Sequence, residues 1–209
     1  MALTDPLDDG LADLLVDDID LDADFTWAPR AQPGPTVSIH RHRPTRRRAE
    51  DHRARGVLAE QLDPLPAPGE TAHLIIHGGV PLSAIVWHVV DQNPPADLAI
   101  STLGFNRDFV HQLIDRMRTG QITSGVVVCS NYFSRADAVE YEEARAVLTP
   151  WPCRLVDART HAKIAVFGPY SLEGSANLRS CRSIENVSVT NDTNLADFHR
   201  QWITALTTT

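Results

Sequence analysis

The sequence predicts an α/β protein: a mixed, mostly parallel sheet flanked by helices, behind an N-terminal extension whose order the sequence leaves open. Three observations predict it. From Ala72 onward, short apolar runs alternate with helical patterns, the signature of strands joined by helical crossovers. Toward the end the strands crowd together, so the sheet turns partly antiparallel there. The 209 residues are 43% hydrophobic and 22% charged, enough for one soluble domain of ordinary size plus a tail.

The elements follow in order. His73–His77 reads as a buried strand ending at Gly78-Gly79. Pro81 suits the first turn of a helix running to Val90 with Leu82, Ile85, Val86 and Val89 inward. Residues 97–102 form a second strand. Asn106 caps a helix whose apolar face is Phe109, Val110, Leu113, Ile114 and Met117, stopped by Gly120. Residues 125–130 form a third strand. Ser134 with Asp137 resembles a capping pair for a helix ending near Leu148. Strands are expected over 153–156, 161–167, 170–172 and 184–189. A last helix starts near Asp192 and is expected to bury Leu195, Phe198, Trp202 and Leu206. The first 70 residues read separately: a short acidic helix at 7–16, prolines at 29, 33, 35 and 44, a helical stretch over 45–62, and a Pro-rich linker at 63–69. The expected domains are therefore 1–70 (acidic head, basic arm, linker) and 71–209. No internal repeat is present.

Charge is unevenly placed. Residues 1–25 carry −9, residues 26–55 carry +6 through eight arginines, and the remainder carries −5. The basic arm, residues 30–55, can track a phosphate backbone, the acidic head can compete with nucleic acid for it, and a solvated linker with a solubilising tail accounts for both as well. No apolar run reaches the ~18 residues of a membrane helix. The acidic start lacks the basic and apolar regions of a signal peptide, and three cysteines without a CxxC pair argue against a disulfide framework or zinc knuckle. A cytoplasmic setting without a membrane is the expectation.

Of nineteen basic residues, eighteen are Arg and one is Lys, Lys163. A compact ammonium in a chain so biased toward Arg suggests a site that needs an amine. It lies in Thr160-His-Ala-Lys163. In a strand, His161 and Lys163 share a face about 7 Å apart. Gly174-Ser-Ala-Asn177 follows, then Glu185. An imidazole, an amine, a hydroxyl, an amide and a carboxylate are the groups a phosphoryl site uses. The imidazole attacks phosphorus or moves a proton, the donors hold the non-bridging oxygens, and the carboxylate orients the imidazole.

HAK…GSAN…EN resembles the phospholipase D superfamily signature, HxK(x)4D followed by GSxN or GSxxN, in single copy. The likeness spans roughly 72–205 and is greatest to small single-motif members of phages and bacteria. It implies a metal-independent phosphodiesterase with no cofactor, in which His161 is the nucleophile, Lys163, Ser175 and Asn177 bind phosphate, and Glu185 supports His161. The mechanism uses two histidines, so one motif per chain implies a homodimer with the site on its two-fold axis. Gly168 stands where the motif has an acid, which keeps a non-catalytic module binding nucleic-acid phosphates or a protein as the alternative. The substrate expected is nucleic acid, held in the cleft and by the arm; a small or lipid phosphodiester lacks an apolar entrance here.

Other residues have two readings each. His77 lines the cleft mouth or is a strand-end histidine like His73. Thr102 and Asn106 contact substrate or cap a helix. Arg179 and Arg182 hold flanking phosphates or make surface salt bridges. Tyr132 and Phe133 stack on a base or pack in the core. His40 and His42 alone make a poor metal site.

Overall fold

The computed structural model describes residues 46–77, 80–179 and 183–208. The acidic head, with its expected helix at 7–16, lies outside the described residues, as do His40, His42, Cys181 and Arg182.

Residues 44–209 form one compact unit. It begins with α1 (Arg46–Gln61), which packs on α2 (Leu82–Asp91). Ala54, Leu58 and Leu62 are buried there, spaced four apart on one helix face. The Pro-rich stretch at 63–69 is tied to the sheet: the Pro66 carbonyl accepts from Tyr170 Oη at 3.3 Å and Asn191 Nδ2 at 2.8 Å.

Seven strands form one sheet: β1 (Thr71–His77), β2 (Ala96–Thr102), β3 (Ile122–Ser130), β4 (Cys153–Ala158), β5 (Ile164–Phe167), β6 (Tyr170–Gly174) and β7 (Ile184–Asn191). Their order is β1-β7-β6-β5-β2-β3-β4. Only β2–β3 and β3–β4 are parallel; every other neighbouring pair is antiparallel. The expected mostly parallel sheet is corrected accordingly. Helical crossovers feed β3 and β4, but short connections link β4 to β7, and a short connection returns the chain in the opposite direction.

Side chains alternate across the sheet. On one face Ala99, Val128 and Val166 pack with Ala196 and Ile203 of α6 (Thr193–Ala205). The other face presents Leu98, Ile100, Val127, Ala165 and Leu172, all buried. Beside the strands on that side pack α2, α3 (Arg107–Arg118) and α5 (Ala138–Leu148). Asn106 caps α3 as expected, its side chain accepting from Phe109 N at 3.0 Å. The Ser134–Asp137 capping pair is not formed. α4 (Asn131–Ala136) begins earlier, capped by Ser130, and Asp137 is the joint between α4 and α5. Ser134 instead donates to Asp157 at 2.9 Å. α6 also departs from expectation: its inward face is Ala196, His199 and Ile203, Leu195, Trp202 and Leu206 flank it, and Phe198 is 60% exposed. Asp192 caps it as expected.

No described helix is long and apolar enough to cross a membrane.

Candidate active site

The strand directions bring the sequence-predicted residues to one end of the sheet. There β1, β2, β3, β4 and β6 finish while β5 and β7 begin, as the pairings of His77 with Ile184, Ser101 with Ile164 and Ile164 with Glu173 require. Crevices beyond strand ends are where open α/β sheets place their ligands.

His161 and Lys163 precede β5 rather than lying within it, so the expected strand over 161–167 is shorter by three residues. His161 is exposed. Lys163 folds back on it: Nζ is 3.2 Å from His161 Nδ1 and donates to the His161 carbonyl at 3.2 Å. An ammonium only donates, so Nδ1 accepts and the ring proton sits on Nε2. Burial pulls the Lys163 pKa below the usual lysine value, and the nearby Glu185 carboxylate opposes that shift.

Two hydroxyls hold the backbone on either side of His161, and sequence reasoning missed both. Ser101, buried on β2, lies 3.1 Å from Thr160 Oγ1 and donates to the Ala162 carbonyl at 3.3 Å. Thr160 Oγ1 accepts from Ala162 N at 3.2 Å. The detectable signal was Thr160 next to His161; Ser101 becomes its neighbour only through the antiparallel register of β2 and β5.

The GSAN segment forms the turn out of β6. Gly174 N donates to the Lys163 carbonyl at 3.2 Å, which fastens this turn to the lysine. Ser175 N donates to the Asn186 carbonyl at 3.0 Å, and Ser175 Oγ accepts from Asn186 N at 3.1 Å while donating to Glu185 Oε2. Glu185 is thus engaged by Ser175 and close to Lys163. Asn177 is half-buried, and its Oδ1 is buried with no hydrogen-bond partner. A buried orphan acceptor is costly unless something fills its valence. A short bridge between Phe105 and Leu178 ties this turn to the end of β2.

The remaining candidates take structural partners. Thr102 is fully buried and donates to the Gly104 carbonyl at 2.9 Å. Asn106 is the α3 cap. Arg179 bonds Asp137 at 3.1 Å and lies over the Phe133 ring. Phe133 is buried, whereas Tyr132 is 51% exposed. His77 ends β1 opposite Ile184. Among the described residues no cluster of His, Cys, Asp and Glu has the makings of a metal site.

Sequence comparison is silent: no protein-family model and no curated protein matches the chain. Structure is not. The phospholipase D family member Nuc from Salmonella typhimurium is similar at a TM-score of 0.50 with 14% identity, over 65% of this chain and 93% of that one. The fold is phospholipase D-like. NucT from Helicobacter pylori (TM-score 0.49, 11% identity, 65% and 95% covered) and the archaeal chromatin protein TrmBL2 (0.48, 10%, 76% and 60%) are further similar structures.

Gly168, where the signature that the sequence resembles has an acid, lies in the β5–β6 turn of this phospholipase D-like sheet. Gly168 has φ +54° and, with Pro169, links Phe167 to Tyr170 in a two-residue hairpin. A glycine at positive φ in the first turn position is what such tight hairpins favour. Arg200 of α6 pins the turn from outside, donating to the Gly168 carbonyl and to Asp97, each at 2.8 Å. A second network anchors β6 just before the GSAN turn. Trp202 Nε1 donates to His199 Nδ1 at 3.0 Å, so His199 carries its proton on Nε2 and donates to Glu173 at 3.0 Å.

Proposed function

We propose that the protein is a metal-independent phosphodiesterase, a nuclease working as a homodimer with His161 as nucleophile. The observation that carries this reading is the convergence of His161, Lys163, Ser175, Asn177 and Glu185 at one end of a phospholipase D-like sheet, from three separate segments of the chain.

In the proposed reaction, a substrate phosphate enters between Lys163 and the GSAN turn. Lys163 Nζ turns from His161 toward the non-bridging oxygens, joined by Ser175 and the Asn177 amide, and stabilises the charge that builds there. An imidazole nitrogen of His161 attacks phosphorus. The P–O bond to the leaving group breaks, and His161 of the partner subunit protonates the departing oxygen. That partner imidazole then takes a proton from water, whose oxygen attacks the phosphohistidine. The P–N bond breaks and both rings return to their starting states. Glu185 holds Ser175 in place and, with Lys163 charged, balances the site. In the substrate-bound dimer its carboxylate also supports His161.

The basic arm, with its +6 charge, supplies a second contact to nucleic acid. Hydrolysis of bis(p-nitrophenyl) phosphate by the full chain in excess EDTA tests the reading. Activity is expected, and His161→Ala is expected to lower kcat by at least about a hundredfold. Full activity in His161→Ala, or activity only with added divalent metal, overturns it. The non-catalytic alternative is favoured by Gly168 in place of the motif acid. It predicts nucleic-acid binding weakened by Lys163→Ala with no turnover in any variant.

A further inference from the structure

Two arginines start from the end of the sheet that holds His161. Arg179 follows the GSAN turn by two residues. Arg107 opens α3, directly after the Asn106 cap on the loop that leaves β2. Both face α5 and the joint before it. Arg179 Nη1 donates to Asp137 at 3.1 Å and its guanidinium lies 5.3 Å from the Phe133 ring centroid. Arg107 Nη2 donates to Glu143 at 2.8 Å. Glu140 of α5 feels the charges of both guanidiniums and of Asp137, and its carboxylate accepts from the Arg107 backbone N–H. Burial pushes the Glu140 carboxyl above its usual range; Arg179 and Arg107 pull it back, and Asp137 pushes it further.

Glu140 and Glu143 lie on α5 and Asp137 stands at the joint just before it, so these carboxylates, three apart in sequence, line the side of α5 that meets the two arginines. A carboxylate meets a guanidinium fork as a backbone phosphate does, because the fork fits carboxylate and phosphate oxygens alike. The pairs are shallow: side-chain exposure is 40% for Arg179 and 26% for Asp137, 35% for Arg107 and 33% for Glu143. Pairs this exposed hold by only about 1 kcal/mol, so a phosphate strand can displace them.

We propose that Arg107 and Arg179 form a second phosphate-backbone subsite beside the His161 centre, and that the Asp137–Glu140–Glu143 row occupies it in the free protein as an internal stand-in for a nucleic-acid strand. The inference deepens the phosphodiesterase reading and rests on it for the substrate class. It extends the substrate of that centre to a chain of phosphates: an isolated phosphodiester needs only the His161 centre, and a second phosphate is what evicts the carboxylates.

The test is a double-mutant cycle on full-length protein in EDTA, in a His161→Ala background so that the probe survives. Affinity for a labelled single-stranded DNA of about 12 nucleotides, and for RNA of the same length, is read by fluorescence anisotropy against salt. Asp137→Asn is expected to tighten binding about threefold to tenfold and to steepen the log–log salt slope by about 0.7. Arg179→Gln weakens binding by a similar factor and flattens the slope. The double variant binds like Arg179→Gln alone, since Asp137 acts through that arginine. Unchanged or weaker binding by a cooperatively melting Asp137→Asn overturns the proposal and leaves a plain staple between α5 and the loop. A gain that survives in the double variant overturns it too, as a general charge effect. If Asp137→Asn does not fold, Glu143→Gln with Arg107→Gln repeats the cycle. The readout needs no turnover. An uncleaved small diester with intact coupling sinks the phosphodiesterase reading alone; a cleaved one with no coupling sinks the subsite alone.

Discussion

Gly174 is the tightest backbone position at the site. A Cβ there would overlap the Asn186 carbonyl oxygen and press on Val187 Cα at 3.0 Å. Backbone has no rotamer with which to yield, so Gly174→Ala is expected to cost about 2–3 kcal/mol in urea unfolding; a loss under about 0.5 kcal/mol would mean that the turn is looser than described. Lys163 has a sharper signature. Its pKa is lowered, so its ammonium is lost at a lower pH than an ordinary lysine's. The alkaline fall of kcat/KM on a small diester is therefore expected earlier than a free lysine would give, and Lys163→Arg, which keeps its charge, should lose that limb. A limb at the ordinary lysine position would separate Lys163 from phosphate binding. Burial pushes the Cys129 and Cys153 thiols up to about 12. Peptide mapping after iodoacetamide at pH 8 should find both unmodified in native protein and both modified in urea. The proposed site residues could be named from the sequence because HxK and GSAN carry their chemistry in side chains that are read directly. Ser101 was not, since a serine inside a strand has no special meaning until the register puts it against Thr160.

Among the elements, the β5–β6 turn is set by a glycine and an arginine. Gly168 supplies a positive φ, and Arg200 from α6 reaches the turn carbonyl. Gly168→Ala is expected to lower stability by about 1 kcal/mol, measured by thermal melting, with the small-diester kcat largely kept. A matching loss of kcat would give the turn a direct part in chemistry. Most elements were legible from caps and periodicity: Pro81, Asn106 and Asp192 open α2, α3 and α6. Two helices were misjudged for identifiable reasons. Ser134–Asp137 matched a capping pair, but Ser130 offered an earlier cap and the helix broke at Asp137. α6 turned its His199 inward because Trp202 and Glu173 satisfy both ring nitrogens, a pairing that hydrophobicity alone cannot register.

For the whole molecule, the α/β class followed from alternating patterns, while the sheet order depended on β1 pairing with β7 across more than a hundred residues of chain. No local pattern encodes such a partner. The proposed homodimer makes its own prediction: activity per chain should fall on dilution as subunits separate, and full activity in a species that sediments as a monomer would exclude a shared site. The central claim is that His161 itself bonds to phosphorus. Rapid acid-free quench of the enzyme during turnover of a phosphodiester, followed by mass spectrometry of the peptide spanning 160–163, tests it directly. The account predicts a P–N-linked phosphoramidate on His161 that carries the remaining ester group, absent from His161→Ala and decaying as product appears; steady hydrolysis with that peptide always unmodified, and undiminished in the variant, would contradict it.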